Sequence, residues 1–456
     1  MPKLQPINKL KGFKDVLPED YVYWNHVLAV ADEVMLSGGF DRLDLPTMEK
    51  ADLYNRSTGE ETDIVGKEMY TFDTSRMIGS KDKKKDKDEN IVALRPEITP
   101  SMVRAYIENG MQTWPKPISL FTIGRCYRHE NPQGGRYREF TQLDAEVFGQ
   151  EDPAIDAGLI SLIWDIFQRL KVNDLEIHIN SIGCTECKPR IKKMLVDYFK
   201  KKQSKLCEDC KKRLKKNPMR ILDCRNERCQ STIAGAPVTI DNICEDCKKH
   251  LMSVLEYLDE MGVSYSLMPN LVRGLDYYNR TVFEVTARDE RRQNALAGGG
   301  RYDYLIEQMG GEPTPAIGFG LGIDRTVDYL KNNNIRIPKP RSKVNVFMIQ
   351  LGEDAKKIAL KKTRELRKMD ISTGIAIGKD TIKAQLRAAD KINALFSVII
   401  GQREAVTNSA IIRDMRDGVQ ETIELEDLNS RLLNMVEERM KEEEEYGKKI
   451  KTKGNK

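Results

Sequence analysis

GRCYRHENPQGGRYREFTQLDAE, residues 124–146, decides how this chain is read. Four arginines stand in it, Arg125, Arg128, Arg136 and Arg138, beside Glu130, Glu139 and Glu146 and around a Pro-Gln-Gly-Gly turn. The stretches on either side, SLFTIG and FTQLDAEVFG, have the residue types of strands. A strand, a basic glycine-containing loop and a second strand form a hairpin that can hold a polyphosphate. Arginine suits this task because its planar fork pairs phosphate oxygens two at a time and never loses its charge.

Outward from the hairpin, the whole chain sets bounds. At 456 residues it exceeds what one core organises, so more than one domain is expected. A hydrophobic share of 40% allows a sizeable core. No apolar run approaches the ~20 residues that cross a bilayer, and the start, MPKLQPINKLKGF, lacks the apolar centre of a signal peptide. A cytoplasmic location is the expectation. Lys+Arg of 75 against Asp+Glu of 70 gives +5, which neither requires nor excludes nucleic acid. Nine cysteines, eight of them in close pairs, point to metal before disulfides in a chain without an export signal.

The texture changes along the chain. Residues 19–37 read as an amphipathic helix with Trp24, Val27, Leu28, Ala31, Val34 and Met35 on one face, stopped by Gly38-Gly39. A strand, FDRLDLP, ends at Pro46, and the pair serves as core or as a subunit interface. TDIVGKEMYTFDT and ENIVALRPEIT read as strands around GSKDKKKDKDE, a solvated loop tip or a contact for RNA. From residue 183 to 250 lysines and cysteines dominate, as in an inserted module. LVRGLDYYNRTVFEVTA then resumes the strand pattern, followed by AGGGRYDYL and AIGFGLGIDRTV, whose glycines bring backbone against a ligand or another strand. NNNIRIPKPRS reads as a linker. Beyond it, strands (KVNVFMIQL, STGIAI, ALFSVIIG) alternate with helices (EDAKKIALKKTRELRKM, TIKAQLRAADKI), predicting a small α/β domain with a largely parallel sheet. The charged end is a helix terminus or a disordered tail.

Several residues bear on a nucleotide. Arg128 and Arg136 lie on the hairpin. Arg325 follows the glycines of GFGLGIDR, where a strand turns into a helix whose start favours anions. Glu130 can accept from the exocyclic amine of adenine, and Phe140 can stack on its ring. Neither the GxxxxGK[ST] phosphate loop nor a strand–GxGxxG–helix turn is present, so ATP must be held differently.

At this point a resemblance becomes specific. Residues 121–149 resemble motif 2 of class II aminoacyl-tRNA synthetases, GFGLGIDR resembles their motif 3, and the helix–strand ending at Pro46 resembles motif 1. LVRGLDYYNRTVFE, AGGGRYDYL, ALRPEITPS and GFKDVLPED resemble segments of the histidyl-tRNA synthetase family. The likeness runs from about residue 9 to about residue 430. It implies an α+β chain: an antiparallel-sheet catalytic domain over 1–331 with an insertion at about 183–255, a linker at 332–342, an anticodon-binding α/β domain at 343–430, and a charged tail at 431–456.

The resemblance also implies roles. Histidine would be joined to ATP with Mg²⁺, releasing pyrophosphate, then passed to its tRNA. Arg128 and Arg273 would flank the α-phosphate as the catalytic pair, Arg128 also touching the histidine carboxylate, and Arg136 and Arg325 would hold the outer phosphates. Fixed cations aimed at the non-bridging oxygens stabilise charge as it builds, each such donor being worth about 3 kcal/mol. Glu97, Thr99 and Gln142 would take the ammonium and carboxylate of histidine, and Glu146, Tyr278 and Tyr277 its ring. Buried groups that lose a partner when the ring N–H is missing discriminate by ~10⁴ or more. Motif 1 implies a homodimer. Ile98, Pro100 and Asp324 depart from the commonest bacterial pattern, nearer to archaeal or eukaryotic relatives, while Glu97, Thr99 and Arg325 remain.

CTEC at 184–187, CEDC at 207–210, CRNERC at 224–229 and CEDC at 244–247 place Cys184, Cys187, Cys207, Cys210, Cys224, Cys229, Cys244 and Cys247 in pairs. Such spacing suits structural, tetrahedral Zn²⁺. Family relatives carry the insertion without these cysteines, so a module of reduced, partly buried thiols is the other reading. Cys126 stands apart as a strand residue, and His26, His129, His178 and His250 do not cluster. The lysine-rich insertion would attract the tRNA acceptor arm, KDTIKAQLRAADK the anticodon arm, and Gln133 could reach the acceptor end. Competing readings are a histidine-binding regulatory paralogue without catalysis, a synthetase for another amino acid, and a zinc-ribbon RNA-binding protein. The retained arginine signatures and the 271–284 segment speak against them.

Overall fold

The computed structural model describes residues 6–59, 62, 64–74, 91–131, 136–287, 295–338, 344–378 and 381–453, with side chains as far as 442. They form two units, Met1–Ile337 and Pro338–Lys456. Among the described residues no helix is long and apolar enough to cross a membrane.

The first unit is built on an eight-stranded sheet. Its order is Asp41–Arg42, Ile118–Tyr127, Glu139–Phe148, Ala316–Gly322, Ala295–Arg301, Asn279–Ala287, Leu175–Ser181 and Ser266–Leu267. The two outermost pairings are parallel and all the inner ones antiparallel. Alternation assigns the faces. Leu143, Ala145, Val147, Phe283, Val285, Ile317, Phe319 and Leu321 meet helices Tyr21–Ser37, Pro153–Arg169, Glu245–Glu260 and Ile323–Asn332 in one core. Full burial of each such side chain contributes about 1.5–3 kcal/mol. The opposite face carries Gln142, Asp144 and Glu146, and there the sheet is met by helix Thr99–Glu108 and the insertion.

Some expected strands are shorter than the sequence indicates. FDRLDLP pairs only at Asp41–Arg42, and the next strand, Met48–Lys50, begins beyond Pro46, which has no N–H for a ladder. Over 62–74 a π-helical turn, Ile64–Glu68, replaces the start of the strand, leaving Thr71–Asp73. Thr62 captures that turn locally: its hydroxyl accepts from Val65 N–H and its carbonyl from Gly66 N–H. The expected strand through Thr99 stops at Leu94, because Pro96 ends the pairing and Thr99 opens a helix with Pro100 in its first turn. The charged run 79–89 lies outside the described residues; the strand Ile91–Leu94 follows it.

The insertion is helical, with Cys187–Lys201, Glu208–Lys216, Glu227–Ala234 and Glu245–Glu260. The last helix continues past residue 255 and plants Leu251, Val254 and Leu258 in the first core.

In the second unit, Thr373–Ile375, Val346–Gln350 and Phe396–Ile400 form the expected parallel strands, and an antiparallel pair not expected from the sequence, Ser409–Asp414 and Gln420–Glu424, completes a five-stranded sheet. Residues from 431 are no separate tail. Helix Leu428–Lys453 carries Leu432 and Val436 into the core with Ala355, Leu366 and Phe396, so the unit continues beyond residue 430. Leu432→Ala is expected to lower stability by about 2–5 kcal/mol, whereas exposed Glu438→Ala should stay within about 0.5 kcal/mol. Urea unfolding with equal, small effects for both would deny the helix its place in the core.

Candidate active site

The polar face of the sheet starts from register. Phe140, Gln142, Asp144 and Glu146 stand on it in alternation along one strand. Opposite Gln142, Asp144 and Glu146 on the next strand stand Gly322, Gly320 and Gly318. A Cβ on Gly318 would sit 1.4 Å from Glu146 Oε2, so the glycine is the space that the carboxylate occupies. Gly298, one strand further, makes the same room for Arg273: a Cβ there would lie 2.5 Å from Nη1. Gly124 does so for Arg95.

A cleft opens over these glycines. Arg128, Arg136, Arg273 and Arg325 line it, with Glu130, Phe140, Gln142 and Asp324. Arg128 donates Nε–H to the Pro96 carbonyl at 2.9 Å, and its guanidinium lies 5.2 Å from the Phe140 ring centre. Arg136 pairs with Glu130 at 2.9 Å. Arg325 donates to the Ala295 carbonyl at 2.9 Å, and burial, with the charges of Arg136 and Arg128, pulls its pKa down. Arg273 meets Glu284 at 3.1 Å, while its Nε has no partner. Three arginines that repel one another across a shared space favour a multiply charged anion between them.

Beside the cleft lies a buried carboxylate nest. Glu97 accepts from Thr58 at 2.5 Å and from Tyr277 at 2.9 Å. Glu146, fully buried, accepts from Thr99 at 2.7 Å and from Tyr302 at 2.5 Å. The Tyr278 ring meets that of Tyr277 at a 47° tilt, ring centres 4.6 Å apart. Burial raises the pKa of Glu97, and lifts those of Asp144 and Glu146 to about 8. Asp144 Oδ2 has no hydrogen-bond partner. Such a nest accepts a cation, or a ring N–H, and excludes anions.

The nucleotide residues expected from the sequence, Arg128, Glu130, Arg136, Phe140 and Arg325, therefore line one cleft, joined by Gln142 and Arg273. Glu97, Thr99, Glu146 and Tyr277 are joined through hydrogen bonds around the nest. Gln133 lies outside the described residues. The reading missed Asp144, although its place midway between Gln142 and Glu146 on an alternating strand was a usable signal. It also missed Thr58, Tyr302 and Glu284, which only tertiary pairing brings here. Arg95 went unnamed as well; it ties the Arg125 carbonyl to those of Leu45 and Pro46 and fixes the hairpin on the segment before it.

The eight paired cysteines fall into two groups away from the cleft lining, Cys184, Cys187, Cys244 and Cys247, and Cys207, Cys210, Cys224 and Cys229, each with its sulfurs within 4.8 Å of one another. None is in a disulfide, and Cys126 is buried on its strand.

Comparisons with known proteins place the chain as a whole. Residues 12–326 match the family model described as histidyl-tRNA synthetase, and residues 345–435 match an anticodon binding domain. The chain is 43% identical over 418 residues to a histidine–tRNA ligase of Dehalococcoides mccartyi, covering 92% of this chain and 97% of that one. It is 40% identical over 426 residues to a histidine–tRNA ligase of Halothermothrix orenii, covering 93% and 99%. The apo S. aureus histidyl-tRNA synthetase structure superposes with a TM-score of 0.76 at 32% identity, covering 94% of this chain and all of that one. On fold, site and sequence together, the chain belongs to the histidyl-tRNA synthetase family.

Proposed function

We propose that this chain is a histidine–tRNA ligase: it condenses L-histidine with ATP to histidyl-adenylate and pyrophosphate, then transfers the histidyl group to the 3′ end of its tRNA. The observation that carries this reading is an arginine-lined cleft and a buried nest of carboxylates and tyrosines set on one sheet face.

Arg128 and Arg273 take opposite sides of the α-phosphate, and Arg128 also meets the carboxylate of histidine. Arg136 and Arg325 hold the outer phosphates, Glu130 accepts from the adenine amine, and Phe140 stacks on the base. The carboxylate is already a nucleophile, so the protein need supply no base; its contribution is positioning and charge. The carboxylates lining the cleft, Glu130 and Asp324, are each in an ion pair, with Arg136 and Lys14, so Mg²⁺ would be carried by phosphate oxygens and water, its usual ligands beside nucleotides. When bound it neutralises the leaving pyrophosphate.

Glu97, Thr99 and Gln142 hold the ammonium and carboxylate of histidine, while Glu146, Tyr277 and Tyr278 read the ring. A hollow lined by Lys188, Lys192, Lys216 and Arg220 reaches Arg273 and Tyr278, which suits the phosphates of an acceptor end. Exposed Lys383, Arg387 and Lys391 on helix Ile382–Lys391 suit the anticodon arm. The likeness of the segment ending at Pro46 to motif 1 supports a homodimer, and the reading carries a cytoplasmic location with it.

Pyrophosphate exchange tested with each amino acid should proceed with histidine alone, and Arg273→Ala should slow it roughly 10²–10³-fold. Exchange that is absent with histidine, or equal for several amino acids, overturns the assignment.

The raised carboxyls give a second test. With folded pKa values of about 8, above the unfolded range, Asp144 and Glu146 favour the folded state at low pH. That contribution is lost as pH rises from the ordinary carboxylate range to about 8. A bound ammonium pulls both values down, so histidine binding near neutral pH should release protons. Calorimetry in buffers of different ionisation enthalpy reads the number; no release, or uptake, refutes this account of the pocket.

A further inference from the structure

We infer that the insertion binds two Zn²⁺ ions, one on Cys184, Cys187, Cys244 and Cys247 and one on Cys207, Cys210, Cys224 and Cys229.

The sulfur geometry carries the inference. Zn–S bonds of about 2.3 Å in a tetrahedron set S···S edges of about 3.8 Å. Cys184 and Cys187 stand 3.7 Å apart, Cys184 and Cys244 3.9 Å, Cys187 and Cys247 4.0 Å, and Cys207 and Cys224 3.8 Å. A disulfide would hold its sulfurs about 2.0 Å apart. Backbone amides already point at the sulfurs: Cys244 N–H to Cys187 Sγ at 3.0 Å and Cys207 N–H to Cys229 Sγ at 3.2 Å. Amides aimed in this way offset the surplus negative charge of four thiolates on one dication.

Helix placement repeats between the sites. Cys244 caps helix Glu245–Glu260 and Cys187 opens helix Cys187–Lys201, so the first site joins two helix starts. Cys207 caps helix Glu208–Lys216, and Cys229 lies in the first turn of Glu227–Ala234, so the second site does the same. Helix starts favour thiolate over thiol. Each site takes up four thiolates, and their four protons pass to solvent as the metal binds.

The sites are nested. The ligands of the second fall between Cys187 and Cys244, which stand 57 residues apart. The first ion therefore closes the module at its base, where a long loop gains most from closure. The base lies against the histidine pocket. A Cβ on Gly183 would meet Cys187 Cβ at 2.5 Å, and the Gly183 carbonyl accepts from Arg280 N–H at 3.0 Å. Arg280 closely follows Tyr277 and Tyr278, so the first ion braces the strand end that presents both tyrosines.

The full chain, purified under reducing conditions, should contain about two zinc ions, and Cys210→Ser should retain about one. Cobalt loaded into the wild-type chain should give the intense visible bands of tetrahedral tetrathiolate coordination, which avoids reliance on a variant's folding. Stripping the metal should speed amide exchange across residues 271–282. Zinc near zero or near one in the wild type, cobalt spectra of octahedral type, or exchange unchanged by stripping overturns the inference.

Discussion

The structure depends on an asymmetry in one sheet. One face of its central strands is filled with branched and aromatic side chains; the other is kept nearly bare, with Gly298, Gly318, Gly320 and Gly322 where side chains would stand. Burying a carboxylate is expensive unless hydrogen bonds receive it. The bare backbone gives Glu146 a place, and the hydroxyls of Thr99 and Tyr302 donate to it. Glu97 is received in the same way by Thr58 and Tyr277. The residual cost appears as raised pKa values, an appetite for positive charge.

The cleft next to the nest has the opposite appetite. Its arginines are each steadied by a backbone carbonyl or a carboxylate, and burial, with the charges of Arg136 and Arg128, pulls the pKa of Arg325 down. Cationic and anionic preferences thus stand side by side on one sheet face. Charges fixed by such contacts need little reorganisation to act on an anion.

The insertion is coupled to this sheet by a buried network. Asp156 on helix Pro153–Arg169 meets His250 of the insertion's last helix at 2.8 Å and accepts from Nε–H of the fully buried Arg301 at 3.0 Å. Removing one member would strand a charge, a loss of about 3–5 kcal/mol. Arg301 sits in AGGGRYDYL, between the glycines of the site and Tyr302, so one short segment supplies space, anchor and hydroxyl donor.

The sequence by itself determined the hairpin, its arginines, the glycine runs, the two-unit plan and the cysteine pairs, because each is a local pattern of charge, spacing or alternation. Motif likeness added the family and most of the residues that line the cleft and the nest. Tertiary structure alone decided the rest. Thr58, Tyr302 and Glu284 have no local signature and reach the site through pairing across long stretches of chain. The shortened strands were settled by Pro46, Pro96 and Thr62, where a missing N–H or a competing hydroxyl overrides strand propensity. The charged end became a helix because Leu428, Leu432 and Val436, unremarkable among so many glutamates, find a core to enter. Burial is a property of the assembled chain, and local composition does not contain it.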